Sequence, residues 1–316
     1  MTAVTALLGY ALLLGVFGPR LLRARGWAER APRLGALAWQ TAGASVLGAV
    51  ILAGLMLAVP IVEAPHALSD LLAACRLMLR VHYESAPQPI AGYAGLLVSG
   101  ALLLWTAGHV LFALGSAARQ RRRHARTLAI VARRHGDLNA LVVEYDQPLA
   151  YCVPGRHRCV VLSTGALEHL DEEQLSAVLA HEHAHLAGRH HLAINTAMAF
   201  GRAFPGVPLL RAARTEVPRL LELLADDVAA REHDRVTLAA ALVTVANGRA
   251  PAMTLGAGGG AALLRVRRLL APHDPLSRTG RLTGGVGIAL LAALPLALAA
   301  NPAITALLER HCHFPG

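Results

Sequence analysis

The sequence predicts an α+β fold in which four membrane-crossing helices carry a mainly helical cytoplasmic domain with a small β-sheet. Three observations support this. Of the 316 residues, 55% are hydrophobic and only 16% are charged, and the mean hydropathy is +0.46. Those values are typical of a polytopic membrane protein. Four apolar stretches are long enough to cross a bilayer, and the segment between the third and fourth is rich in polar residues and turn signals.

The membrane helices are predicted from the length of these apolar stretches, at about residues 2–18, 34–59, 90–115 and 282–300. The first has no basic residue ahead of it and no small-residue cleavage site before Arg20, so we expect an uncleaved helix and not a signal peptide. The resulting division is three helices and an outer loop (60–89) in 1–116, the domain in 117–280, and the fourth helix with an external tail in 281–316.

Arginine sets the expected orientation, since the sequence has no lysine. Five arginines lie in loop 20–33, seven in 119–134 and five in 265–281, against two in loop 60–89 and one in the tail. The positive-inside rule then places both termini outside the cytoplasmic membrane and the domain in the cytoplasm.

The arginines of 119–134 are expected to form a helix against anionic lipid headgroups. A DNA-binding arm is the rival hypothesis. It is disfavoured because aromatic residues make up only 4% of the chain and do not alternate with the basic ones, so we expect no nucleic-acid partner.

Within the domain, short strands are predicted at 141–145, 150–153 and 158–163, because β-branched runs there are broken by turn residues. An edge strand of such a sheet could hold an extended peptide. Residues 192–208 are apolar but contain arginine and proline, which favours a helix and loop touching the membrane surface over a further crossing. Residues 236–246 are predicted to form a buried domain helix.

The strongest chemical signal is His181-Glu182-His183-Ala184-His185, in a helical pattern that begins at the acidic run 171–173. His181 and His185 are one helical turn apart, so both imidazoles can bind one metal ion. Glu182 lies beside the first of them, where it can take a proton from a water that the metal polarises. The alternative is a polar helix face that is rich in histidine, since His190 follows closely.

A zinc site that performs chemistry needs three protein ligands and an open position. Glu222 and Asp226 stand one turn apart in a run that otherwise consists mainly of leucine and alanine, where carboxylates are costly to bury unless they bind something. We expect Glu222 to be the third ligand and Asp226 to accept the outer N–H of a ligand histidine. Alternatively, both are solvated charges on an amphipathic helix.

His181 to His185, followed by Glu222 and Asp226, resembles the motif of the gluzincin membrane proteases. That group includes the CAAX-processing and HtpX-like proteases and the BlaR/MecR antirepressor metallopeptidases. The lead-in at 160–167 and 171–175 is also similar to theirs, and the resemblance covers roughly residues 137–235. Three crossings before the motif and one after it match the BlaR/MecR arrangement better than the HtpX-like one. The departure is the tail: 301–316 replaces an external sensor domain and contains no Ser-x-x-Lys pattern.

The resemblance implies a zinc metalloendopeptidase, with Glu182 as catalytic base. Tyr151 and His233 are candidates, by position only, for stabilising the oxyanion. The implied substrate is a peptide or protein, in particular a winged-helix repressor of the BlaI/MecI type, so that cleavage would transmit a signal. Two alternatives stay open: an HtpX- or CAAX-like housekeeping protease, and a zinc-bound transducer without catalysis.

The cysteines divide by expected compartment. Cys152 and Cys159 belong to the domain and should be free thiols in the reducing cytoplasm. Cys75 and Cys312 fall on the oxidising side, and we predict a Cys75–Cys312 disulfide. The alternatives are two unpaired thiols, or a metal ion held by residues 311–313.

Overall fold

A computed structural model describes residues 2–58, 89–155, 158–249, 258–271 and 274–311. The described chain is mostly helical, and its helices are α1 (Thr2–Arg23), α2 (Trp27–Arg30), α3 (Pro32–Ala58), α4 (Pro89–Val131), α5 (Thr164–His169), α6 (Glu172–Ala187), α7 (His190–Ala203), α8 (Pro208–Ala229), α9 (Arg235–Arg249), α10 (Gly258–Leu270) and α11 (Arg278–His311). The strands are β1 (Arg133–His135), β2 (Ala140–Val143), β3 (Ala150–Val153) and β4 (Cys159–Ser163). A short 3₁₀ turn, Ala24–Gly26, links α1 to α2.

Within the described residues, four helices are long and apolar enough to cross a membrane: α1, α3, α4 and α11. Each overlaps one of the apolar stretches found in the sequence, although residue 59 of the second stretch lies outside the described residues. Helix α4 has 43 residues, or ~64 Å, which is about twice the ~30 Å of a bilayer's hydrocarbon core. The arginines between 119 and 126 therefore lie on its continuation. The expected arginine helix ends at Val131, however, and Arg133 and Arg134 belong to strand β1.

The four strands form one mixed sheet in the order β1-β2-β4-β3. Strands β2 and β4 are parallel, while β1 and β3 pair antiparallel with β2 and β4, respectively. The three strands expected from the sequence are confirmed, with ends shifted by a residue or two. Strand β1 was missed because its three residues, Arg-Arg-His, lack the β-branched pattern and gain their hydrogen bonds only by pairing with β2.

Helices α7 and α8 form a hairpin that packs against the long helices. Leu209, Val217 and Leu220 of α8 are fully buried in a core shared with α1 and α3. Gln40 of α3 donates a hydrogen bond to the carbonyl of Ala193 (2.7 Å), and Trp105 of α4 donates to that of Ala203 (3.2 Å). The expected helix and loop at 192–208 are confirmed; contact with a membrane surface stays a prediction.

A second core lies between the sheet and helices α6 and α9, and it includes Val160, Leu162, Val178 and Ala241. The acidic helix start expected before the histidine motif is present, because Asp171 Oδ1 accepts from the Gln174 N–H (2.8 Å) at the N-cap of α6. The buried domain helix expected at 236–246 is α9. This core fixes α6 beside the sheet.

Candidate metal centre

Helices α6 and α8 bring together the three residues expected to bind zinc. His181 Nε2 lies 3.2 Å from His185 Nε2 and 3.6 Å from Glu222 Oε2, and His185 Nε2 lies 3.4 Å from Glu222 Oε1. A tetrahedral zinc ion with bonds of ~2.0–2.1 Å holds its ligand atoms ~3.3–3.4 Å apart. The three residues therefore form a group that can hold a metal ion, and its donor set fits zinc.

The position of Glu222 follows from the packing of α8. The preceding turn is anchored in the core shared with α1 and α3, where Val217 and Leu220 are fully buried. Glu222 then faces α6, with its side chain 39% exposed. The same packing that buries the apolar face of α8 thus aims this carboxylate at the two histidines.

The carboxylate of Asp226 lies beside the outer nitrogen of His181. Its Oδ1 lies 3.1 Å from His181 Nδ1, and the Asp226 residue has no exposed surface. If Nδ1–H donates to this carboxylate, the lone pair of Nε2 points to the metal position. In that form Asp226 fixes both the tautomer and the ring orientation of His181.

Arg265, on α10, is a residue of this site that the sequence did not reveal. Its guanidinium donates to both oxygens of Asp226 (2.6 and 2.8 Å) and lies 2.8 Å from Glu222 Oε2. The sequence offered no local signal, since Arg265 is one of several arginines in a stretch assigned to the positive-inside pattern. Only the packing of α10 against α8 brings it to the carboxylates.

Burial and the neighbouring charges shift the pKa values of the three candidate ligands. Burial favours the neutral forms, but hydrogen bonds to Asp226 and Glu222 outweigh it and raise the pKa of His181 to about 9. Burial lowers the pKa of His185 to about 4. For Glu222, burial is outweighed by His181 and Arg265, which lower its pKa to about 2. The carboxylate of Glu222 is thus ionised at neutral pH, the form that binds a cation.

These ligand atoms line a cavity of about 200 Å³, walled by Tyr151, Cys152, Val178, Glu182, Ile194, Leu242, Val245 and Arg265. Glu182 is only 8% exposed, so this residue lines the cavity and has little contact with bulk solvent. Of the two oxyanion candidates, Tyr151 lines the cavity, with its hydroxyl 2.9 Å from His124 Nε2. His233 lies in the turn after α8 and is not among the residues that wall the cavity.

Cys152 and Cys159 are free thiols, as expected. Burial, together with the neighbouring carboxylate of Glu182, raises the pKa of Cys152 to about 12, so this wall of the cavity stays uncharged. The predicted Cys75–Cys312 disulfide lies outside the described residues.

The fold and the site define a metallopeptidase arrangement: two helices that converge on a histidine–histidine–glutamate cluster beside a small sheet. The profile of Peptidase family M48 matches residues 116–278, which is more than half of the chain. The chain belongs to peptidase family M48, a family of zinc metallopeptidases. This supports the gluzincin-type resemblance but not the BlaR/MecR subfamily specifically. Comparisons with curated proteins and with solved structures found no match.

Proposed function

We propose that the protein is an integral-membrane zinc endopeptidase in which His181, His185 and Glu222 hold the metal and Glu182 is the general base. One observation carries the proposal: ligand atoms from two helices far apart in the sequence lie 3.2–3.6 Å from one another beside a cavity. The match to family M48 and the four apolar helices support it.

Bound zinc would supply a positive charge that polarises the substrate carbonyl and makes water more acidic. Glu182 accepts a proton from the attacking water as the oxygen bonds to the carbonyl carbon. It then delivers that proton to the amine nitrogen as the C–N bond breaks, so that one water is consumed per peptide bond. Tyr151 is the side chain in the cavity wall best suited to donate to the developing oxyanion.

The test is Glu182→Gln, which removes the base but none of the ligands. Peptide hydrolysis by the purified full-length protein should fall by ~10²–10⁴-fold, the usual contribution of general-base catalysis, while bound zinc stays unchanged. His183→Gln is the matched control, because His183 is the exposed neighbour on the same helix. Undiminished hydrolysis by Glu182→Gln would contradict the mechanism, and no hydrolysis by zinc-loaded wild type would favour the non-catalytic transducer.

For the orientation we propose a cytoplasmic domain at 117–280 with both termini outside. The arginine distribution supports it, and so do the contacts of the arginine-rich segment 20–33, which joins α1 to α3. Arg23, at the end of α1, pairs with Glu216 (2.9 Å), and Glu29 of α2 pairs with Arg219 (2.8 Å), so α8 lies on the side of that segment. Epitope tags at the two ends should be cleaved by protease added to intact cells; protection of both tags would refute this orientation.

For the substrate we propose a cytoplasmic repressor of the BlaI/MecI type. The order of the apolar helices, three before the metal centre and one after, supports this over a housekeeping role. Cells that carry Glu182→Gln should accumulate the full-length repressor under envelope stress. Unchanged repressor levels, together with a build-up of damaged membrane proteins, would favour the housekeeping protease.

A further inference from the structure

We propose that His190 is a positioning residue for the metal centre, which holds His185 in the tautomer and ring orientation that metal binding requires. The inference rests on the proposed function, because it assumes that His185 is a zinc ligand. It assigns a hydrogen-bond partner to His185.

The contact between the two histidines is direct. His190 Nδ1 lies 2.9 Å from His185 Nδ1, within hydrogen-bond distance. The rings meet edge to face, with centroids 4.8 Å apart and planes at 85°. The His190 residue is only 4% exposed, although histidine usually keeps part of its ring in water.

The geometry determines which nitrogen carries the proton. His185 Nε2 faces His181 and Glu222, so it must keep its lone pair to bind a metal. The proton of a neutral His185 is then on Nδ1, so the partner of Nδ1 must be a hydrogen-bond acceptor. His190 Nδ1 is placed to be that acceptor, with its own proton on Nε2.

The turn between α6 and α7 is built around the ring of His190. A Cβ atom at Gly188 would collide with His190 Nε2. Gly188 has φ −73°, which any residue can adopt, so the ring and not the backbone explains the glycine. Arg189 then takes a left-handed conformation (φ 49°) that turns the chain back towards His185.

In both histidines the nitrogen that faces away from the metal position has a hydrogen-bond partner, but the two partners differ in charge. His181 donates its outer N–H to the carboxylate of Asp226 (3.1 Å), whereas the partner of His185 is a neutral imidazole. Three carboxyl groups already surround Arg265, those of Glu182, Glu222 and Asp226. A neutral acceptor fixes the second ligand without adding a negative charge to the buried site.

The experiment compares two substitutions of His190 in the purified full-length protein in detergent. His190→Leu removes the acceptor, and His190→Asn restores one, because Oδ1 of asparagine occupies the position of histidine Nδ1. Zinc affinity is measured by competition with a chromophoric chelator, and ligand geometry from the visible spectrum of the cobalt-substituted protein. His191→Leu is the matched control: its imidazole is adjacent in sequence, and its buried Nδ1 has no hydrogen-bond partner among the residues that the structure describes.

His190→Leu should bind zinc ~10–100-fold more weakly and change the cobalt spectrum, as expected for the loss of a residue that orients a ligand. His190→Asn should stay within about threefold of wild type, and His191→Leu should match wild type. If His190→Leu leaves the zinc affinity unchanged, or if the Leu and Asn variants lose affinity equally, the proposed role of His190 is wrong. The proposed function would not be affected by either result. A wild-type protein that binds no zinc would overturn both this role and the proposed function.

Discussion

The long apolar helices and the metal centre bury polar side chains in different ways. Among the described residues, the polar groups buried within the long helices are the hydroxyls of Ser45 and Ser99. Each donates to a backbone carbonyl of a neighbouring helix, that of Leu291 (2.6 Å) and that of Ile51 (3.0 Å). The metal centre instead buries titratable groups: His181, Glu182, His190 and Asp226.

The difference shows where charge burial is tolerated. A hydroxyl that finds a carbonyl adds little to helix association, because serine also finds partners within its own helix. A buried carboxylate or guanidinium, by contrast, is stable only when another charge or a hydrogen-bond network compensates it. In the described part of the chain, the buried titratable side chains lie at the metal centre. We therefore consider the cavity beside them functional.

The largest expected effect is the loss of zinc from Glu222→Ala, because this change removes one of the three ligands that we propose. The affinity should fall by more than the ~100-fold that marks the upper end for residues around the ligands. Asp227→Ala is the control, since Asp227 is on the same helix but pairs with Arg268 (2.7 Å). Zinc content after gel filtration distinguishes them; equal retention would exclude Glu222 as a ligand.

Removal of Asp226 should be the most destabilising single change in the domain. Asp226→Ala leaves Arg265 buried without its closest partner, which costs ~3–5 kcal/mol in comparable buried pairs. Thermal unfolding in detergent measures the loss. Arg265 keeps its contact with Glu222 (2.8 Å), but it loses both oxygens of Asp226. The double variant Asp226→Leu/Arg265→Leu should regain part of this stability; no recovery would show that the cost does not come from the arginine that has lost Asp226.

Close approach of α3 and α4 depends on glycine. A Cβ atom at Gly54 would collide with the Ser99 hydroxyl, whereas one at Gly48, on the same helix, would meet nothing within 4 Å. Gly54→Val should therefore cost ~1–3 kcal/mol through overpacking, and Gly48→Val much less. Equal unfolding temperatures for the two variants would contradict the packing of these helices.

The smallest expected effect is that of Ser45→Ala, which removes hydrogen bonds to the Leu291 carbonyl and the Tyr10 hydroxyl (both 2.6 Å). Polar pairs between membrane helices average ~0.6 kcal/mol. The same unfolding assay should thus show a far smaller loss than for Asp226→Ala. Comparable losses would remove the contrast between the two regions.

The sequence by itself determined the features that depend on local spacing. Four apolar runs of sufficient length predicted four long helices, and in the described part of the chain α1, α3, α4 and α11 coincide with them. Two histidines at i and i+4 share a helical face whatever surrounds the helix, so the convergence of His181 and His185 followed from α6 alone. Glu222 and Asp226 were predicted to join the site because two carboxylates in an apolar run are costly to bury, and because they have the spacing expected of partners to the histidine motif.

Tertiary structure decided which groups surround those residues. Arg265 comes from a helix nearly forty positions after Asp226, and His190 reaches His185 through a turn whose left-handed residue, Arg189, no periodicity indicates. Strand β1 exists because β2 offers it hydrogen bonds, although its own residues do not favour a strand. Helical periodicity indicates which side chains share a face of one helix. The partners of a buried charge depend instead on packing between segments that are distant in the sequence, and no local pattern predicts that packing.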